Sequence, residues 1–244
     1  MNFWDFIQNL LEFRTACHKA EIPLPRIADS HMKTLDTAID EAVTTSIDGT
    51  PSVDGLQISR HFLDYMRFAL PAETEFAIGH YGDYDHVRTE NVANDAGGLT
   101  KFGVDQTSHP GVDIANLTLK QALVIYYKGD WTRSGAETMP PGYGPVLCDI
   151  HVNGGNGPVM LQEALNTLGA GLHVDGQLGH ASHAAMVKYG DAGVRAFIAR
   201  RDVRYDYLGE HGKAKFLQGW LDRDRNLLAA LGLAHPAQSA QALA

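Results

Sequence analysis

The chain has 244 residues, 44% of them hydrophobic and 20% charged, enough to bury a real core in one main domain with an appendage or two, and too apolar to be disordered. Its formal net charge of −9 argues against broad electrostatic attachment to nucleic acid or to an anionic membrane. No apolar run approaches the roughly 20 residues that span a bilayer, and the N-terminus lacks a basic segment leading into a continuous apolar one. The expectation is therefore synthesis in the cytoplasm without a recognisable secretion signal and without stable membrane insertion.

In chain order, Phe3, Phe6, Ile7, Leu10 and Phe13 recur at helical spacing, and a second helix is expected from about His31 to Thr44 behind Ser30 as N-cap. Together they form an amphipathic extension, whose ordinary use is docking on the main domain. Gly49-Thr50-Pro51-Ser52 and Asp54-Gly55 punctuate the chain and set a boundary near residue 55. The next helix is predicted over Leu56 to Leu70, with Pro71 ending or kinking it, so that Glu73 falls at a helix terminus. From Phe76 to Val104 the pattern is short, glycine-broken and rich in tyrosine and histidine, as in a small β sheet or hairpin. Thr118 and Gln121 form a capping box for a helix that carries Leu123 and Tyr126 and ends near Trp131. Pro140-Pro141 breaks the chain, and Val146, Leu147 and Ile150 then make a helical core stripe running to Asn153-Gly154-Gly155. Pro158 opens a helix that closes at Gly169, the proline-first, glycine-last asymmetry. The remainder is helical up to a tail from about Ala234. Cys17 and Cys148 lie far apart, and Cys148 sits in an apolar context, so two reduced thiols are expected rather than a disulfide.

The stretch from Asn94 to Gln106 carries the most chemistry. Asp95, the adjacent Gly97 and Gly98, and Thr100 follow shortly after Glu73 and Glu75. Breaking a glycosidic bond needs one carboxylic acid that keeps its proton near neutral pH and a second acidic or water-positioning group across the sugar. A glutamate behind an apolar helix can be desolvated and stay protonated, whereas an aspartate in a polar glycine turn stays ionised. The glycines let backbone approach a bulky ligand, and the Thr100 hydroxyl can hold a water. Taken alone, such a turn is more often an ordinary hairpin. The scattered histidines, His180 and His183 on one helix face included, lack an H-E-x-x-H or paired-cysteine companion, so no metal and no cofactor is expected. Tyr81, Tyr84 and Trp131 could stack on sugars, and Asp149 and Asn153 lie one helical turn apart, an arrangement that also serves buried helix–helix hydrogen bonding.

In their order, these pieces resemble glycoside hydrolase family 108, the phage endolysin and secretion-associated N-acetylmuramidases, over roughly residues 56 to 230. The stretches that carry the resemblance are the helix with Glu73, the loop from Asp95 to Gly103, the helix end from Tyr126 to Trp131, and Asp149 to Gly154. Asp175-Gly176-Gln177-Leu178-Gly179 and Phe216 to Arg223 are similar to the family's C-terminal peptidoglycan-binding region. Two departures stand out. Glu73-Thr74-Glu75-Phe76 replaces the family's Glu-Gly-Gly-aromatic motif, with a longer insertion before Asp95, and Ala96 stands where the family has proline.

The resemblance implies a mainly α, α+β fold: a lysozyme-like helical domain with a small β hairpin or sheet, a helical N-terminal extension and a C-terminal helical subdomain. The expected divisions are 1–55, 56–170, 171–233 and a tail over 234–244. It implies an endolysin-type N-acetylmuramidase cutting peptidoglycan between N-acetylmuramic acid and N-acetylglucosamine. Glu73 would be the general acid, with Glu75 the alternative and Glu90 third, and Asp95 and Thr100 would stabilise charge or orient water. Gly97, Gly98, Tyr81, Trp131 and Asn153 would bind substrate. The implied partner is the glycan strand, reached through a holin or an equivalent route. A lytic transglycosylase and a non-catalytic wall-binding or virion protein are the rival readings.

Overall fold

A computed structural model describes residues 34–74, 84, 87–91 and 97–233, and these fall into two compact units that divide between Gly129 and Asp130. In the first unit, the Thr34 hydroxyl accepts from the Thr37 amide and starts helix α1 (Leu35–Ala42). The extended Val43 stops α1 and leads into an antiparallel sheet of β1 (Thr44–Thr45), β2 (Pro51–Val53) and β3 (Leu56–Gln57), in the order β1-β2-β3, with Ser52 opposite both Thr44 and Gln57. Pro51 and Val53 are buried and Ser52 between them is only partly so, the period-two alternation of a one-sided sheet. Leu56 and Gln57 are thus strand, and the following helix α2 begins only at Arg60 (Arg60–Thr74).

Pro71 does not end α2. It occupies an exposed position in the last turn, where a missing amide costs one bond only, and the Thr74 hydroxyl donates to the Leu70 carbonyl at 2.7 Å. Helix α2 buries Phe62, Met66 and Leu70 together with Ile39 of α1, and α1 also packs on α3 (Leu119–Tyr126). On the outside of α2, Arg67 reaches Asp36, Asp40 and Asp64 at 3.0, 3.3 and 3.4 Å, an exposed fan that contributes little stability. The expected small β element is present as a hairpin of β4 (Thr100–Lys101) and β5 (Val104–Asp105). The capping box of α3 is complete: the Gln121 amide donates to Thr118 Oγ1 at 3.3 Å and the Thr118 amide to Gln121 Oε1 at 2.9 Å. Beyond Tyr126 the helix widens into a π turn over Tyr127–Trp131.

The second unit is helical. A 3₁₀ turn (Ala136–Thr138) precedes α4 (Tyr143–Val152), which is buried continuously from Tyr143 to Ile150, Cys148 included. Helix α5 (Gly157–Thr167), capped by Asn156 with proline in its first turn, packs on α6 (His180–Leu208); a π turn (Gly209–Lys213) then leads to α7 (Ala214–Ala230). Helix α6 bends at Gly190, whose φ of 44° and ψ of −128° suit glycine alone. The Tyr143 hydroxyl sits in the bend, beside the carbonyls of Met186 at 3.2 Å and Gly190 at 3.0 Å.

The core of this unit contains charge. Arg201 of α6, 1% exposed, donates to Asp149 of α4 at 2.7 Å and to Asp224 of α7 at 2.9 Å, and Arg223 of α7 adds contacts of 2.8 and 3.0 Å to Asp149. Burial alone raises the Asp149 pKa, but attraction and hydrogen bonds from Arg223 and Arg201 outweigh it and hold the carboxyl below the usual range. The architecture is mainly α with two small antiparallel β elements, the α+β class expected from the sequence.

Candidate active site

Glu73 lies in the last turn of α2, half-buried, and faces the β4–β5 hairpin. The two residues of the hairpin turn, Phe102 and Gly103, both have positive φ, 53° and 75°, which is the two-residue turn whose twist matches a hairpin. A β-carbon on Gly103 would lie 2.9 Å from Cβ and 3.3 Å from Cγ of Glu73 and would also run into the Tyr126 hydroxyl. Glycine here allows the turn to rest on the glutamate's methylenes. Tyr126 of α3 fixes the same turn from within, since its buried hydroxyl donates to the Phe102 carbonyl at 2.9 Å. Next to Glu73, Thr74 Oγ1 meets the Tyr84 hydroxyl at 3.1 Å; Tyr84 is buried, which raises its pKa.

Glu90 comes to the hairpin by strand pairing. Its amide donates to the Thr100 carbonyl at 2.8 Å and its carbonyl accepts from the Thr100 amide at 2.7 Å, while Thr100 is also the register partner of Asp105. Directly paired residues of antiparallel strands project to one face, so Glu90, Thr100 and Asp105 form a row, carboxyl, hydroxyl, carboxyl. Val104 points the other way into the core. All three members of the row are half-buried, and burial raises the Glu90 pKa. The loop before β4 is tied by Gly97, whose carbonyl accepts from the Thr107 amide and hydroxyl, both at 3.1 Å, whereas Gly98 borders open space.

Of the residues expected at the site, Glu73, Gly97, Gly98 and Thr100 lie in the first unit on or beside the hairpin. Asp95, Glu75 and Tyr81 lie outside the described residues. Trp131 and Asn153 belong to the second unit and are engaged there. Trp131 is fully buried and its indole N–H donates to Glu137, leaving no ring face for a sugar. Asn153 is buried and closes α4, its amide donating to the Asp149 carbonyl at 2.7 Å. Tyr84 is likewise a core residue. The Glu90–Thr100–Asp105 row and the support from Gly103 and Tyr126 escaped the sequence reading; the pattern Thr100-Lys101-Phe102-Gly103-Val104-Asp105, a short hairpin around a glycine, is the signal that carries them. Among the described residues no three histidine, cysteine or acidic side chains are grouped to hold a metal ion.

Residues 84–155 match the family described as glycosyl hydrolase 108, and residues 156–225 match the predicted peptidoglycan domain. The chain thus joins a glycosyl hydrolase 108 region to a predicted peptidoglycan domain. The two regions meet between Gly155 and Asn156, at the cap of α5. Together the two matches support a role in peptidoglycan hydrolysis or binding. The matched stretch contains Glu90, Asp95, Gly97, Gly98 and Thr100, while Glu73 and Glu75 precede it. The structure of Brucella abortus SagA is similar over 63% of this chain and 91% of that one, at 22% identity and a TM-score of 0.46. No curated protein matches the chain.

Proposed function

We propose that this protein is an N-acetylmuramidase that hydrolyses the bond between N-acetylmuramic acid and N-acetylglucosamine, with Glu73 as proton donor. The observation that supports it most is the seat of Glu73, in the last turn of a buried helix with its methylenes against the hairpin that carries Thr100. In the reaction the Glu73 proton passes to the bridging oxygen, the bond from the sugar C1 to that oxygen breaks with its electron pair going to oxygen, and water adds at C1 while its surplus proton goes to a carboxylate of the site, restoring the acid for the next turnover. Asp95 and Thr100 stabilise the positive charge that develops at C1 or orient the water. Synthesis in the cytoplasm and passage to the wall through a holin or an equivalent route belong to the same reading.

The test is digestion of purified peptidoglycan with analysis of the released ends. A reducing muramic acid end is expected, and an anhydro end would instead assign a lytic transglycosylase. Glu73→Gln is expected to lower the release of ends by about 100-fold or more with an unchanged melting temperature. Unchanged release would remove Glu73 from the role. Glu90 is the second reading for the donor, favoured by its half-buried place beside Thr100 within the hydrolase match. In that case Glu90→Gln, and not Glu73→Gln, abolishes release. Binding to sacculi with no released fragment from the unmodified protein would overturn both and leave a wall-binding protein.

A further inference from the structure

The second unit contains a cavity of about 570 Å³ between the loop 170–179 and the first turns of α6, within the size range of small-ligand sites. The loop that forms its rim has no regular structure, yet two amides of α5 hold it. Gln162, buried, accepts from the Asp175 and Gly176 amides at 3.1 and 2.8 Å and donates to Asp175 Oδ1 and the Gln177 carbonyl at 2.9 and 3.0 Å. Asn166 does the same one turn along, donating to the Leu172 carbonyl at 2.9 Å and accepting from the Leu172 amide at 2.6 Å. A loop clamped in this way keeps the cavity formed without a ligand, which lowers the ordering cost of binding.

The charges lining the cavity are unequally engaged. The Asp175 carboxylate is occupied, by Gln162 and the Gln177 amide (2.8 Å) and, at 3.7 Å, by His173; these contacts hold its pKa down. Lys188 has no carboxylate partner among the described residues; its ammonium lies 4.8 Å from the centre of the Tyr189 ring. His173 and His180 add two exposed ring donors to the same lining. In a chain of net charge −9, this is a preformed cavity whose lining includes one ammonium, that of Lys188, with no carboxylate partner among the described residues. Within peptidoglycan the neutral acetylated sugars offer little to an ammonium group, whereas the stem peptide ends in free carboxylates.

We propose that this cavity binds the stem peptide of peptidoglycan through a free carboxylate, with Lys188 as the charged anchor and the clamped loop 170–179 as its rim. The proposal rests on the peptidoglycan reading and adds to it a peptide site separate from the glycan-cleaving one. It is tested with the full chain carrying Glu73→Gln, titrated calorimetrically with a disaccharide tetrapeptide, the same fragment with its carboxylates amidated, and an N-acetylglucosamine oligomer, which carries no carboxylate. The intact fragment is expected to bind at least about 10-fold more tightly than either control, since a charge-assisted hydrogen bond is worth about one such factor. Lys188→Glu should remove that advantage, Lys188→Arg should keep most of it, and Ala184→Trp, which fills the cavity from an exposed helix position, should abolish binding. Circular dichroism establishes that each variant is folded.

Equal binding of the N-acetylglucosamine oligomer, or full affinity in folded Lys188→Glu, overturns the proposal. If the unmodified protein releases glycan fragments but binds no tetrapeptide fragment, the cavity proposal falls and the hydrolase reading stands. If it neither cleaves nor binds sacculi, the peptidoglycan reading itself falls and takes the cavity proposal with it.

Discussion

The two units solve opposite problems with their carboxylates. In the second, Asp149 is completely buried but ionised, because Arg201 and Arg223 close around it and its removal from water is offset by attraction and hydrogen bonds. In the first, Glu90 is only half-buried, and burial is the influence that raises its pKa. A carboxylate surrounded by arginine serves architecture and gives up reactivity, whereas one raised by burial keeps its proton to a higher pH. The contrast predicts which unit tolerates change and which one does chemistry.

The harshest way to break the contrast is Arg201→Ala, which leaves Asp149 and Asp224 buried with too little positive charge. It is expected to destabilise the second unit by about 3–5 kcal/mol, seen as a large fall in the melting temperature. A fall of only a degree or two would mean that the network contributes little. Next comes Gly103→Ala, which forces a β-carbon against Glu73 and Tyr126 at a φ of 75°. A stability loss of about 1–3 kcal/mol should accompany a loss of glycan cleavage out of proportion to it, measured as release of reducing ends below the melting transition. Tyr126→Phe removes the bond to the Phe102 carbonyl. About 1 kcal/mol of stability and a few-fold of activity are expected to go, and wild-type activity would show that the hairpin holds its place without that bond.

The mildest effect is the most diagnostic, because the two carboxyls respond to pH with opposite sign. Asp149 has a folded pKa below its unfolded value of about 3.9, so its stabilising effect is complete above that pH and disappears as the pH falls through the lowered value. Glu90 has a folded pKa above its unfolded value of about 4.3, so it disfavours the folded state once the pH exceeds the raised value, and that penalty fades on acidification. Glu90→Gln should therefore raise the melting temperature slightly at neutral pH and leave it unchanged near pH 4. A variant less stable than the parent at neutral pH would show that the ionised carboxylate has a favourable partner.

What was legible in the sequence was local. The Thr118–Gln121 capping box and the helix from Pro158 towards Gly169 depend on neighbours a few positions apart and appear where the pattern placed them, and a hairpin at Thr100–Asp105 lies at the end of the stretch read as β. Pro71 was misread because a proline in a final turn costs a single bond, which the burial of α2 outweighs. Non-local features were invisible. Nothing near Asp149 announces Arg201, 52 positions later, or Arg223, 74 positions later. Glu90 ranked third among the candidate acids, and the pairing with Thr100 that brings it to the hairpin runs across a loop. Trp131 carries the composition of a sugar-stacking residue and the position of a core residue, and only its environment separates the two.

The bend at Gly190 divides a single 29-residue helix into two members with different duties. The stretch before it borders the cavity through Lys188 and Tyr189, and the stretch after it carries Arg201 into the ionic core. Because the helical rod is interrupted, a substitution that reshapes the leading part need not propagate along the axis to the trailing part. Natural variation can reshape the rim while the ionic interior remains fixed.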